Sequence, residues 1–161
     1  MAPSSRRSPA KKQTLFTIGY EKATAPAVLG ELKSAGVELL VDVRAVAASR
    51  RPGFSKRQLA AGLDETGIGY LHLQKLGTPA DGRQAARAGH RDELFRIYEK
   101  HLATPLAIEQ MSELDDIVRA GRKVCLLCYE RDAHICHRLR VAEIICERCD
   151  VPIEHLAAKL F

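Results

Sequence analysis

Five short apolar runs alternate with stretches of helical periodicity, and this alternation restricts the chain more than any other feature. The runs fall at residues 15–18, 37–43, 70–73, 124–127 and 152–156. Strands that alternate with helices predict a mainly parallel sheet covered on both faces, a three-layer α/β/α sandwich of Rossmann-like type. The second run is apolar almost throughout, as a strand buried on both faces must be. Helices are predicted over residues 26–35, 56–66, 91–102, 105–120 and 134–149, with Gly36, Gly67 and Gly121 standing just past three of the ends. Ser55 with Gln58 three residues on reads as a capping box. Residues 74–90 are weakly patterned and predict a loop or partly ordered insertion.

At 161 residues the chain has the length of one domain with a self-sufficient core, placed at residues 14–161. The net charge of +5 invites a nucleic-acid reading, so its location matters. Residues 1–13 hold Arg6, Arg7, Lys11 and Lys12 and no acid, whereas the rest carries 21 basic against 20 acidic residues. The folded part is therefore near neutral, and the basic excess sits in a Pro/Ser/Ala/Lys stretch that predicts a disordered tail. No apolar run approaches the roughly 20 residues that span a bilayer, and the basic N-terminal residues precede no apolar signal-type stretch. The expectation is a cytoplasmic protein without a membrane partner. Five cysteines without an export signal predict reduced thiols.

In an open parallel sheet, ligands gather outside the carboxyl ends of the strands. Two segments leave predicted strand ends with chemistry-bearing side chains. The first, residues 42–56, holds Asp42, Arg44, Ser49, Arg50, Arg51 and Lys56 and runs into a predicted helix N-terminus, where free N–H groups favour an anion. Arginine forks suit bidentate recognition of phosphate or carboxylate. The competing reading has Asp42 and Arg44 paired structurally and the other cations solvated. The second, residues 128–138, holds Cys128, Glu130, Cys136, His137 and Arg138. A thiol in the first turn of a helix, beside cations, is activated as a nucleophile. Glu130 is placed for acid–base work or for holding an arginine. Against this, free cysteines are often plain apolar fillers. His72, near a strand end, is a further crevice candidate.

Cys125 and Cys128, then Cys146 and Cys149, repeat the spacing of a four-cysteine zinc site. Strand residues three apart point to opposite faces, however, so Cys125 and Cys128 are not expected to converge. A mixed site drawn from Cys128, Cys136 and His134 or His137 is geometrically freer. No metal ligand and no cofactor is assigned from these patterns.

The stretches Thr17-Ile18-Gly19-Tyr20, Val41-Asp42-Val43-Arg44, Ser49 to Lys56, Gly67-Ile68-Gly69-Tyr70, Leu76-Gly77, Leu127-Cys128-Tyr129-Glu130 and Cys136-His137-Arg138 together resemble the prokaryotic domain-of-unknown-function family 488. The resemblance covers roughly residues 15–157. It implies a three-layer α/β fold and places the family's signature positions on Asp42, Arg44, Ser49, Arg50, Lys56, Cys128, Glu130, Cys136, His137 and Arg138. Tyr20 stands where many members have histidine, and residues 78–90 depart from the common form. The leading expectation is an enzyme acting on an anionic, phosphorylated or nucleotide-like substrate. In it, Asp42, Arg44, Ser49, Arg50, Lys56 and Arg138 form the binding set, and Cys128, Glu130, Cys136 and His137 the catalytic set. A non-catalytic nucleic-acid or nucleotide-binding module and a metal- or thiol-sensing protein are the alternatives, so catalysis and oligomeric state both stay open.

Overall fold

A computed structural model describes residues 13–160; residues 1–12 of the expected basic tail lie outside the described residues. Five strands, β1 (Leu15–Gly19), β2 (Leu39–Asp42), β3 (Gly69–His72), β4 (Val124–Cys128) and β5 (Ile153–Leu156), form one sheet in the order β3-β2-β4-β1-β5. Every pairing among them is parallel. Six helices connect them: α1 (Ala25–Ser34), α2 (Lys56–Glu65), α3 (Ala80–Arg87), α4 (Arg91–Leu102), α5 (Pro105–Arg119) and α6 (His137–Cys149). The α/β sandwich predicted from the alternation is the fold observed.

The connections decide which face each helix covers. From β1 to β3 the chain moves toward one edge of the sheet, and from β3 to β5 it moves back. Parallel crossovers are right-handed, so the two directions put helices on opposite faces. Val28, Leu32, Leu59 and Leu63 of α1 and α2 accordingly pack with Ile18, Leu40, Cys125 and Leu127. Tyr98, Met111, Leu114, Val141 and Ile145 of α4, α5 and α6 pack with Val41, Leu126 and Cys128 on the other face. Cys125 and Cys128 thus lie on opposite sides of the sheet, and the four-cysteine spacing brings no metal site together.

Three local expectations are corrected. Residues 74–90 are not a loop: Gln74–Leu76 forms a 3-10 turn and Ala80–Arg87 the helix α3. With eight residues and only Gly82 and Ala85 buried, α3 has too little apolar surface to leave a periodic signature. Ser55 precedes α2 without a side-chain cap, and Gln58 Oε1 instead accepts from the Gly53 N–H at 3.0 Å, so the capping box does not form. Helix α6 starts at His137, three residues later than predicted, because Ala133–Ile135 makes a separate 3-10 turn and Cys136 takes the extended cap position.

Two glycines allow backbones to approach at the carboxyl end of the sheet. A Cβ on Gly19 would lie 1.8 Å from the carbonyl oxygen of Glu130, and one on Gly77 would lie 2.2 Å from the Ala45 nitrogen. Both contacts are with backbone, which has nowhere to retreat. Gly30, inside α1, has nothing within 4 Å of an added Cβ. Gly19→Ala and Gly77→Ala should therefore each destabilise the protein by about 1–3 kcal/mol. Gly30→Ala should stabilise it by roughly 0.5–1 kcal/mol. Urea denaturation midpoints at constant m-value check all three.

Candidate functional site

The carboxyl ends of β1, β2 and β4 lie side by side, with Gly19 in register with Cys128, and Asp42 with Leu127. Helices following β1 and β2 cover one face and the helix following β4 covers the other, so the sheet divides there and a crevice opens above it. Main-chain bonds stitch its floor: Val43 N–H donates to Leu127 O, and Tyr20 N–H to Cys128 O.

In this crevice the second segment comes together. Cys128 ends β4 and Cys136 caps α6, and both are buried. His137, first residue of α6, is half-buried between them and Tyr98, its ring meeting the tyrosine edge-on at 5.6 Å. The Cys128 Sγ lies 3.7 Å from both His137 ring nitrogens and 3.7 Å from Glu130 Oε2. The two sulfurs and a His137 nitrogen all fall within 4.8 Å of one another. His137 Nε2 is 2.8 Å from the Val43 carbonyl oxygen. A carbonyl only accepts, so Nε2 carries a proton, and Nδ1 is the nitrogen left for another partner. Tyr98, the other wall, donates its hydroxyl to Leu76 O at 2.6 Å.

The thiols are electrostatically unequal. The hydrogen bond to Cys136, and then burial, push the Cys128 thiol well above its ordinary range. Burial acts the same way on Cys136, but the hydrogen bond from Cys128 and the His137 charge outweigh it and hold Cys136 low. Burial raises the Glu130 carboxyl, and the Cys136 thiolate adds to the effect. Burial opposes a charge on His137, yet the neighbouring thiolate prevails and raises it. Cys125, on the other face, is simply pushed up by burial.

A cavity of about 310 Å³ stands over this cluster. Its wall includes Tyr20, Arg44, Val46, Thr78, Phe95, Tyr129 and Ile135 besides the cluster, and Arg83, Arg87 and Arg140 also line it. Among the described residues, Val46, Phe95, Tyr129 and Ile135 are four of the few large apolar side chains left exposed. Arg83 donates to Thr78 O, and Arg140 pairs with Glu99 at 2.6 Å. Arg87 is exposed and makes no hydrogen bond or ion pair among the described residues.

The cations singled out in the sequence are employed differently. Arg44 is buried, and its fork grips Asp42 through Nε at 2.9 Å and Nη2 at 2.7 Å, while Nη1 donates to Phe54 O and the Tyr20 hydroxyl. Asp42 also accepts from Tyr70 at 2.6 Å. Arg138 is fully buried and donates to Thr17 Oγ1, Glu130 O and Arg131 O. Both guanidiniums face internal acceptors. Ser49, Arg50 and Lys56 are not among the cavity-lining residues. The backbone N–H of Lys56 donates to Ala47 O at 2.7 Å, so the loop itself occupies the head of α2. His72 holds the Arg44 carbonyl at 2.7 Å. Arg83, Arg87, Phe95 and Tyr98 escaped sequence reasoning; the only available signal was the four-residue spacing of Leu94 and Tyr98 on α4.

Residues 24–145 match the family model described as Domain of unknown function DUF488. The chain belongs to this family. No curated protein and no solved structure matches it. The resemblance read from the motifs is thereby shown. The match spans both sequence segments and the α3–α4 pair, so the whole cavity floor and most of its wall lie inside the family's domain. Among the described residues no helix is long and apolar enough to cross a membrane.

The Asp42–Arg44 pair yields a stability expectation. Asp42→Asn would leave a buried guanidinium without its carboxylate and should cost about 3–5 kcal/mol. Guanidinium chloride titration of the purified variant checks this. A loss below about 1 kcal/mol would mean that Arg44 escapes to solvent when unpaired.

Proposed function

We propose that this protein is a thiol-dependent enzyme acting on an anionic substrate with an apolar portion. The observation that carries the reading is the convergence of Cys128, Cys136, His137 and Glu130 on the floor of one cavity. A nucleophile, a base within reach and a group that orients the base are what covalent catalysis requires. Cys136 supplies the nucleophile at the head of α6, where the helix N-terminus favours a developing or transferred anion. His137, oriented by the Val43 carbonyl, is the partner, and Cys128 donates a hydrogen bond to the attacking sulfur.

The reaction class that fits is group transfer through a covalent thiol intermediate. Cys136 sulfur forms a bond to the electrophilic carbon or phosphorus, and the bond to the leaving group breaks. Glu130 gives the leaving group its proton. Water then breaks the new bond to sulfur, passing its proton back to Glu130 and restoring the thiolate. The anion sits at the rim near Arg87 and Arg83, since Arg44 and Arg138 are spent internally. Phe95, Val46 and Ile135 receive the apolar part.

Alkylation of the reduced protein with iodoacetamide at neutral pH tests the nucleophile. Cys136 should react at least about tenfold faster than Cys125 and Cys146, read by peptide mass spectrometry. His137→Gln should slow Cys136 and leave Cys146 unchanged. Equal rates at Cys136 and Cys146 would remove the basis of the reading. Arg87→Ala should lower the affinity for an anionic aromatic probe such as phenyl phosphate while leaving Cys136 alkylation unchanged; unaltered affinity would take the anion away from this rim.

A further inference from the structure

We infer that Cys128, Cys136 and His137 also form a binding site for one soft divalent cation of the zinc class, and that metal occupancy masks the thiol nucleophile. The inference shares its residues with the proposed thiol chemistry but does not depend on catalysis there.

The donor set comes first. Two sulfurs and one imidazole are the ligands zinc prefers, and three protein ligands with one open position is the arrangement of its exchangeable and catalytic sites. Bound at about 2.3 Å, two thiolates of a tetrahedral site stand about 3.8 Å apart. Cys128 Sγ is already 3.7 Å from the His137 nitrogens, and all three donors lie within 4.8 Å of one another. The donors are thus within about 1 Å of the separations a bound ion requires.

The second observation is independent of the sulfurs. A metal-ligating histidine almost always gives its other N–H to a carbonyl or carboxylate, which fixes the tautomer. His137 does this with the Val43 carbonyl at 2.8 Å, leaving Nδ1 as the donor atom. The carbonyl belongs to the residue after β2, so the sheet itself sets the ring.

The third is the open side. The three donors line the floor of the cavity, so the fourth position faces into it and is available to a small ligand. Glu130, with Oε2 3.7 Å from Cys128 Sγ, lines the same cavity. Cys146 and Cys149 stand elsewhere: Cys149 Sγ is 3.1 Å from Asp115 Oδ1 on α5, and neither lines the cavity.

The full-length reduced protein, stripped with chelator, is titrated with Co²⁺ as a spectroscopic probe and then with Zn²⁺. One equivalent of Co²⁺ should give thiolate charge-transfer bands and tetrahedral visible bands, both removed by Zn²⁺. Cys128→Ser and Cys136→Ser should each weaken binding by at least about tenfold, and Cys146→Ser should leave it unchanged. In wild-type protein, which requires no variant to fold, Zn²⁺ should protect Cys128 and Cys136 together from iodoacetamide and leave Cys146 reactive. Absent Co²⁺ bands, Co²⁺ affinity undiminished in Cys136→Ser, or undiminished Cys136 alkylation under saturating Zn²⁺ would each overturn the inference. Fast Cys136 alkylation without Co²⁺ bands would sink the metal site and leave the thiol reading standing. Co²⁺ bands with unreactive Cys136 in the stripped protein would overturn the masking and the thiol reading and leave a metal site alone.

Discussion

The guanidinium of Arg138 is the contact on which the crevice depends. It is fully buried, with no carboxylate among its bonded partners, and its donors go to Thr17 on β1 and to the carbonyls of Glu130 and Arg131 beyond β4. Carbonyls left unpaired in the interior cost free energy, and a turn crossing the end of a sheet has no neighbouring strand to satisfy them. One side chain from the first turn of α6 does so here. It thereby fixes the distance between the turn carrying Cys128 and Glu130 and the helix carrying Cys136 and His137. The residue expected to bind substrate instead positions those expected to act on it.

The Asp42–Arg44 pair does the same service for the neighbouring wall. The carboxylate accepts from the Arg44 fork, the Arg44 N–H and the Tyr70 hydroxyl, so its lone pairs are filled without solvent. Arg44 then reaches Phe54 O and Tyr20, tying the end of β2 to the loop before α2 and to the residue after β1. Burial opposes the Arg44 charge, yet the bond and charge of Asp42 prevail and push it above its ordinary range. Two buried arginines thus hold two strand exits beside the cavity.

The sheet, its parallel sense and the place of the crevice were legible because they follow from strand–helix alternation and a rule about carboxyl ends. So was the separation of Cys125 from Cys128, which needs only the period of a strand. The employment of each cation was not legible. Arg44 and Arg87 are the same residue type in similar charged surroundings, and only tertiary contacts make one a buried clamp and the other a rim group. Tyr98 and Phe95 were hidden for another reason: α3 is too short and alanine-rich to announce itself, so α4 could not be placed against the crevice.

A near-neutral fold argues for a local rather than a distributed use of charge. Residues 14–161 are nearly balanced, and the two inward arginines point their guanidiniums at internal acceptors. What remains at the cavity is an apolar rim with a few cations beside a thiol–imidazole floor. A polyanion is bound through many dispersed phosphate contacts, which this rim does not offer. A small ligand needs only a concave apolar site with a few placed polar groups. The chemistry at the floor, whether sulfur attacks or a cation is held there, rests on the same fact: the Val43 carbonyl engages one imidazole nitrogen and leaves the other without a main-chain partner beside the two cysteines.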